Sequence, residues 1–188
     1  MHLIEVIKHY EGASDPAHGI PHIAAVVREA LLLNGGRLPL ELVVTAAILH
    51  DIGREEELRT GEDHAVVGAR WVRECGYGEE VVEAVREHRN SSGNPRGLLA
   101  RIISDADKLV CFQVEAEAER EVAYRKARGM RGEEIVMDSY QFIRGWLPQA
   151  LEKLKTVEGK RRGEERIADF TPNLESVEAW GRVLQRYL

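Results

Sequence analysis

Four side chains that can bind a metal interrupt or end apolar helical patterns in this sequence. The stretch AILHDIGR at 47–54 places His50 and Asp51 at the end of a strongly apolar run. His22 lies on the apolar stripe of an earlier segment, and Asp107 lies on the stripe of a later one. An isolated buried carboxylate is costly unless it is paired or coordinates a metal. The pattern therefore favours one divalent cation shared by these residues. Nitrogen and oxygen donors of this kind suit Mn, Fe, Co, Ni, Zn or Mg.

Two further histidines, His64 and His88, also lie on apolar helical faces. His64 is in step with Val67, and His88 follows Val85. A single histidine on an apolar face is commonly a hydrogen-bonded core residue and not a ligand. Several inward histidines and two inward aspartates in one small core are harder to satisfy separately, and a shared cation would satisfy them together.

The composition argues against several functional classes. The 188 residues, 44% of them hydrophobic, are enough for one sizeable core, so a single domain over 1–188 is expected. The net charge of −6 argues against a nucleic-acid polymer or an anionic membrane as partner. The sequence has neither a signal-peptide pattern nor an apolar run of membrane-spanning length, so we expect a cytoplasmic protein.

The segments that must position these residues are predicted to be helical. Apolar residues recur at three- and four-residue steps, without sustained period-two alternation. The sequence therefore predicts an all-α fold with helices at 20–33, 39–51, 62–75, 79–88, 97–126 and 133–157. The segment 155–170 is either a solvated helix or a loose connection, and Thr171 is expected to cap a last helix. We expect a core at 13–128 and a C-terminal helical extension at 133–188 that serves packing or homo-oligomerisation.

The order His22, then His50-Asp51, then Asp107 resembles the H…HD…D signature of the HD superfamily of metal-dependent phosphohydrolases, which has an all-helical fold. The local contexts are similar as well. The three similar stretches are DPAHGIPHIAAVVREA (15–30), AAILHDIGR (46–54) and ISDADKL (103–109). A lone HD dipeptide would be a weak signal, but three motifs in the right order and spacing are a strong one.

The resemblance covers residues 13–112 and is nearest to a subgroup of small stand-alone HD hydrolases. It implies one divalent ion held by His22, His50, Asp51 and Asp107. It also implies an enzyme that cleaves phosphate esters or anhydrides of a small nucleotide-like substrate through a metal-activated hydroxide, as a nucleotide phosphatase or a pyrophosphohydrolase. The alternative is a regulatory protein that keeps the fold and binds a metal or nucleotide without turnover.

The resemblance leaves the roles of His64 and His88 open. Contact with a substrate phosphate or proton donation is the favoured interpretation, and binding of a second ion is the competing one. Asp107 is expected to orient the attacking water as well as bind the metal. Lys108 and Arg54 follow the ligand motifs, and either is expected to contact an anionic phosphate or to form a salt bridge.

The segment between the HD motif and His64 is rich in charge. REEEL at 54–58 is expected to be mostly an exposed acidic turn. Asp63 is expected to cap the helix that follows. Glu55 and Glu62 are weaker candidates for acid–base roles.

Overall fold

The structure, a computed structural model, describes residues 6, 9–11, 16–89 and 95–188. Within these ranges the chain is all-α, as the sequence predicts, with short 3₁₀ helices at Pro16–His18 and Thr171–Leu174. The α-helices of ranges 16–89 and 95–188 are α1 (Ile20–Asn34), α2 (Leu40–Leu49), α3 (Arg54–Thr60), α4 (His64–Glu74), α5 (Glu79–Glu87), α6 (Leu98–Val110), α7 (Val114–Ala127), α8 (Glu133–Glu152), α9 (Val157–Phe170) and α10 (Val177–Leu184). None of these helices is long and apolar enough to cross a membrane.

The chain divides into two compact units, Met1–Asp107 and Lys108–Leu188. The single domain over 1–188 stays a prediction. In the first unit α2 packs against α1 and α5, and α4 packs against α3 and α5. Its core is apolar and fully buried, with Val26, Ala46 and Val85 at 0% exposure. Burial of these apolar faces fixes the helices against one another, and so fixes the helix ends that carry polar side chains.

The turn after α2 packs unusually closely on α4. A Cβ atom added to Gly53 would lie 2.3 Å from the carbonyl oxygen of His64 and 2.7 Å from the amide nitrogen of Gly68. Gly68 in turn lies against Ile52, whose Cγ2 would be 3.2 Å from an added Cβ. Because neither glycine has a side chain, the backbone that follows Asp51 can lie directly on the first turns of α4. This contact brings His64 beside the HD pair.

The second unit has its own core. Trp180 of α10 is fully buried, and its Nε1 donates a hydrogen bond to the hydroxyl of Ser139 at 2.8 Å. The Trp180 ring stacks on Phe170 with ring centroids 5.8 Å apart. Trp180 therefore joins α10 to α8 through its satisfied indole N–H and to α9 through ring stacking.

Helix α7 of the second unit carries a cluster of charged side chains that are largely buried. We call this set the α7 ion cluster; it comprises Glu117, Arg120, Glu121 and Arg125. Arg125 lies 2.5 Å from Glu121, and Arg120 lies 2.5 Å from Glu117. Each carboxylate of the cluster thus has a guanidinium partner.

Some helix boundaries differ from those that the sequence predicts. The segment 54–58 belongs to helix α3 and is not a turn. The long helix predicted at 97–126 is two helices, because residues 111–113 form a turn between α6 and α7. Apolar periodicity continues through such a turn, so the pattern alone could not reveal it.

The C-terminal boundaries also need correction. Residues 157–170 form a helix, α9, which Thr156 caps by accepting a hydrogen bond from Gly159 N at 2.9 Å. Thr171 does not cap a new helix, because its backbone is helical and its hydroxyl donates to the Ile167 carbonyl at 2.8 Å. The cap of the last helix is Ser176.

Candidate metal centre

The four residues predicted as ligands lie close together, near the start of α1 and near the ends of α2 and α6. His22 Nε2 lies 3.5 Å from Asp51 Oδ2 and 3.4 Å from Asp107 Oδ1. His50 Nε2 lies 3.2 Å from the same Asp51 oxygen and 3.8 Å from Asp107 Oδ1. The two imidazole Nε2 atoms are 3.4 Å apart. We call His22, His50, Asp51 and Asp107 the first donor group.

His64 and His88 face the other carboxylate oxygen of Asp51. The Nε2 atoms of His64 and His88 lie 3.3 and 3.5 Å from Asp51 Oδ1 and 3.2 Å from each other. The donor atoms of these three buried residues lie close enough together to hold an ion. We call Asp51, His64 and His88 the second donor group. Asp51 therefore belongs to both groups and presents one oxygen to each.

Helix ends fix the orientation of His50 and His88. His50 Nδ1 is 2.8 Å from the Ala47 carbonyl oxygen, and His88 Nδ1 is 2.7 Å from the Val85 carbonyl oxygen. A carbonyl only accepts, so each Nδ1 carries the hydrogen and donates it. The carbonyls are free for this role because the last turn of a helix leaves them without an amide partner. In the neutral imidazoles, both Nε2 lone pairs point toward Asp51, the orientation that metal binding requires.

His64 has the same tautomer for a different reason. Its Nδ1 lies 2.8 Å from Oε2 of Glu57, and the ionised carboxylate accepts the hydrogen. In the neutral ring Nε2 then faces inward with a lone pair, opposite the lone pair of His88. Two acceptors 3.2 Å apart repel each other unless a cation lies between them. The second donor group thus fits a metal ion.

The first donor group also fits a cation. Asp51 is 3% exposed, and its Oδ2 accepts no hydrogen bond from the part of the chain that the structure describes. His22 Nδ1 likewise has no hydrogen-bond partner there. A buried carboxylate oxygen without a donor is costly, whereas a divalent ion held by nitrogen and oxygen donors would satisfy it.

The ionisation of the cluster also favours positive charge at its centre. Burial lowers the pKa of His22, but the hydrogen bond to Asp107 and the charges of Asp107 and Asp51 outweigh it and raise this pKa to about 9. Burial raises the pKa values of both aspartates, but the histidines around them hold these pKa values well below the usual range. The pKa of His64 is raised, since Asp51 again outweighs burial. The two carboxylates therefore stay ionised and attract a cation, whether a proton or a metal ion.

The two predicted phosphate-binding cations lie in different environments. Arg54 begins α3, and its Nη1 is 2.5 Å from Glu57 Oε2. Lys108 follows Asp107 directly on α6, and its side chain is buried. The salt bridge expected as one role of Arg54 is present. A phosphate contact stays a prediction for both residues.

Two neighbouring residues complete the surroundings of the histidines. Asp63 is the N-cap of α4 and accepts from the amide of Ala65 at 2.9 Å, which confirms its predicted role. The His18 ring is 5.3 Å from the His22 ring, centroid to centroid.

Glu57 is a contact of the site that the sequence does not single out. The Glu57 side chain is only 17% exposed, so the exposed acidic turn predicted at 54–58 is wrong for this residue. Arg89 Nη1 donates to Glu57 Oε1 at 2.7 Å and to Asp63 Oδ2 at 3.0 Å. Three consecutive glutamates at 55–57 are equivalent in the sequence, and only the short helix α3 selects one of them.

Tyr10 contacts the backbone just before the HD motif. Its hydroxyl donates to the Ile48 carbonyl at 2.8 Å, near the end of α2. Burial and the charge of Asp51 both raise the pKa of Tyr10 well above its ordinary value. Tyr10 is thus a neutral donor that ties down the last turn before the ligand pair.

Comparison with known proteins identifies the domain that contains the two donor groups. The model of the HD domain matches residues 20–110. This part of the chain is an HD domain. The match contains both donor groups and confirms the resemblance seen in the motifs. The chain is also similar to ribonuclease Y of Frankia casuarinae, with 34% identity over 47% of this chain and 13% of that protein. Ribonuclease Y of Rubrobacter xylanophilus is 24% identical over 79% of this chain and 28% of that protein.

Two solved structures resemble this protein in fold along nearly the whole chain. A predicted HD superfamily hydrolase from an uncultured Thermotogales bacterium has a TM-score of 0.61 and 26% identity, covering 100% of this chain and 94% of that one. Bacillus subtilis YpgQ, crystallised in complex with ADP, has a TM-score of 0.61 and 16% identity, covering 94% and 100%. The family match and the Thermotogales structure support a metal-dependent phosphohydrolase in general. The chain spans less than a third of the length of the two ribonuclease Y proteins.

Proposed function

We propose that this HD-domain protein is a phosphohydrolase that uses two divalent ions, one in each donor group. Asp51 would be the shared ligand. The observation that carries the proposal is that the two oxygens of this buried carboxylate face two separate sets of imidazole nitrogens. The first group corresponds to the predicted ligands His22, His50, Asp51 and Asp107. In this proposal His64 and His88 take the competing interpretation, binding of a second ion.

The residues of the site would have different roles in hydrolysis. Divalent ions at these positions would supply a hydroxide from water and polarise a phosphoryl oxygen. The Asp107 side chain is 29% exposed, whereas that of Asp51 is 4% exposed. Asp107 is therefore the carboxylate that can accept a hydrogen bond from an entering water and orient it for attack. Asp51 and the imidazoles hold the ligand geometry from the buried side.

The proposed substrate is a small phosphate ester or anhydride of nucleotide type. The guanidinium of Arg54 bonds to Glu57, and Glu57 in turn bonds to His64 of the second donor group. Arg54 therefore lies near this group, separated from it by the Glu57 side chain. We assign it, together with Lys108, to contact with the anionic phosphate. YpgQ was crystallised with ADP, which makes nucleoside phosphates the first class to test.

A second candidate activity is cleavage of RNA phosphodiester bonds. It is favoured by the partial identity with ribonuclease Y. The net charge of −6 opposes it, because a polyanion is held mainly by basic side chains. A third outcome is a protein that binds metal and nucleotide without turnover.

The test measures the release of phosphate and pyrophosphate from nucleoside mono-, di- and triphosphates and an aryl phosphate, and the shortening of a single-stranded RNA on a denaturing gel. Each reaction receives Mn, Co, Ni or Mg, beside an Asp51→Ala control. Metal-dependent release from nucleotides that is lost in the control is the expected result. Cleavage of the RNA alone would favour the second activity, and bound ions without any cleavage would favour the binding protein.

Substitution of His64 or His88 by Ala separates their two interpretations. Loss of one of two bound ions is expected if they hold the second ion. Full ion content with slower turnover would instead assign them to substrate contact or proton donation.

A further inference from the structure

We infer that Glu57 is a positioning residue, which holds the His64 ring and its tautomer so that Nε2 faces Asp51. The inference rests on the proposed function, since that function places an ion at His64. It concerns a residue that neither the family motif nor the sequence pattern selects.

The need for Glu57 follows from where each histidine lies in its helix. His50 and His88 follow the last residues of α2 and α5, and each donates Nδ1–H to the carbonyl three residues earlier. His64 is the first residue of α4, so no earlier turn of its own helix offers a carbonyl. An acceptor must come from another element, and Glu57 of α3 supplies it at 2.8 Å.

Glu57 is itself held in one orientation. Its Oε1 accepts from Arg89 at 2.7 Å, and its Oε2 accepts from Arg54 at 2.5 Å as well as from His64. Arg89 also bonds to Asp63, the N-cap of the helix that His64 begins. The carboxylate thus has partners on both oxygens, and a rotation that released His64 would break the bonds to both arginines.

Removal of this acceptor has a specific consequence. Without Glu57, the His64 proton is free to move to Nε2, and a protonated Nε2 has no lone pair for an ion. Partners of this kind typically change metal affinity by about 10- to 100-fold. We expect Glu57→Ala to weaken binding at the second donor group by roughly that factor and to leave the first group unchanged. If Glu57 served only in salt bridges, its removal would change stability but would change neither the tautomer of His64 nor the metal affinity of the second donor group.

The experiment compares Glu57→Ala with Glu56→Ala in the full chain. Glu56 lies on the same short helix, carries the same charge, and pairs with Arg59 on the surface. Binding of Mn²⁺ and Co²⁺ is measured by competition with a chromogenic chelator. The tautomer of the neutral His64 ring is measured separately in the metal-free protein by ¹⁵N NMR of the histidine rings, at alkaline pH. Glu57→Gln, which keeps an acceptor oxygen of equal reach, serves as the rescue variant and as the fallback if Glu57→Ala fails to fold.

The expected result is weaker second-ion binding and loss of the single Nδ1–H tautomer in Glu57→Ala, with wild-type behaviour in Glu56→Ala and partial rescue in Glu57→Gln. An unchanged tautomer and unchanged affinities in both Glu57 variants would overturn the inference. A wild type that binds no second ion would overturn the two-ion proposal. The NMR measurement would then still decide the role of Glu57.

Discussion

Two buried polar clusters in this protein differ in how their charges are balanced. In the α7 ion cluster, carboxylates and guanidinium groups alternate, and the pairs lie 2.5 Å apart. Around Asp51, imidazole nitrogens and carboxylate oxygens face one another at 3.2–3.8 Å. The first arrangement supplies its own counter-charges. The second presents lone pairs and negative charge to a common centre, which only a cation can satisfy.

The comparison separates buried charge that stabilises a fold from buried charge prepared for a ligand. The α7 ion cluster can also adjust by binding a proton, because burial and the charge of Glu117 raise the pKa of Glu121 to about 7. At the HD motif the carboxylates stay ionised, since the histidines lower their pKa values. Substitutions in the two clusters should therefore have opposite effects on metal content and on stability.

The largest effect is expected from Asp51→Ala. Both donor groups lose their shared ligand, so ion content and hydrolysis should fall to background. The metal-free variant should unfold within about 1 kcal/mol of the metal-free wild type, because the substitution removes the cost of burying the Asp51 carboxylate together with its contacts to the histidines. Ion content by mass spectrometry and unfolding in urea measure the two quantities. A variant that keeps its ions and its activity would refute the assignment of Asp51.

Arg125→Met should show the reverse behaviour. Arg125 is 3% exposed and bonds to Glu121 and Asp138, so its removal leaves the buried Glu121 carboxylate 3.7 Å from the remaining guanidinium, that of Arg120. We expect the free energy of unfolding to fall by roughly 3 kcal/mol. Ion content should be unchanged. Urea unfolding with a parallel metal assay checks this, and a loss of bound ions would show that the two clusters are not functionally separate.

Gly53→Ala tests the close contact that brings His64 to the HD pair. The added methyl would lie 2.3 Å from the His64 carbonyl oxygen, so the turn or α4 must move. We expect a loss of about 1–3 kcal/mol of stability together with weaker binding of the second ion. Gly78→Ala is a suitable control, because an added Cβ there meets no atom within 4 Å. Equal ion binding in the two variants would argue against this contact as the determinant of His64 placement.

The last predicted effect is the pH dependence of the affinity for the first ion. His22 has a pKa of about 9, so below that pH its ring carries a proton that a metal ion must displace. Affinity at the first donor group should rise roughly tenfold per pH unit between pH 7 and 9 and then level off. The aspartates are already ionised there and add no slope. Chelator competition at pH 7, 8 and 9 in Glu57→Ala, whose second group is weakened, isolates this ion. A flat profile would contradict the displaced proton.

The sequence predicts the elements and the convergence of the ligands because both depend on helical periodicity. A stripe that repeats every three or four residues determines which side of a helix is buried, and His22, His50 and Asp107 continue such stripes. The family motif then adds the order in which these residues occur. These signals are local, so one sequence is enough to read them.

The remaining features depend on contacts between segments, which periodicity does not report. Nothing in the sequence distinguishes Glu57 from its two neighbouring glutamates, because their difference arises from the direction of α3. The use of both Asp51 oxygens depends on the close packing of Gly53 and Gly68. The tautomers of His50 and His88 depend on helix ends, whose boundaries are known only to within a few residues from sequence.

The most direct test of the central claim is an anomalous diffraction map of crystals of this protein grown with Mn²⁺. We predict two peaks in each chain: one among His22, His50, Asp51 and Asp107, and the other among Asp51, His64 and His88, with one Asp51 oxygen toward each. A single peak in the first group would reduce the site to one ion and return His64 and His88 to substrate contact. The absence of any peak at Asp51 in metal-saturated crystals would contradict the account.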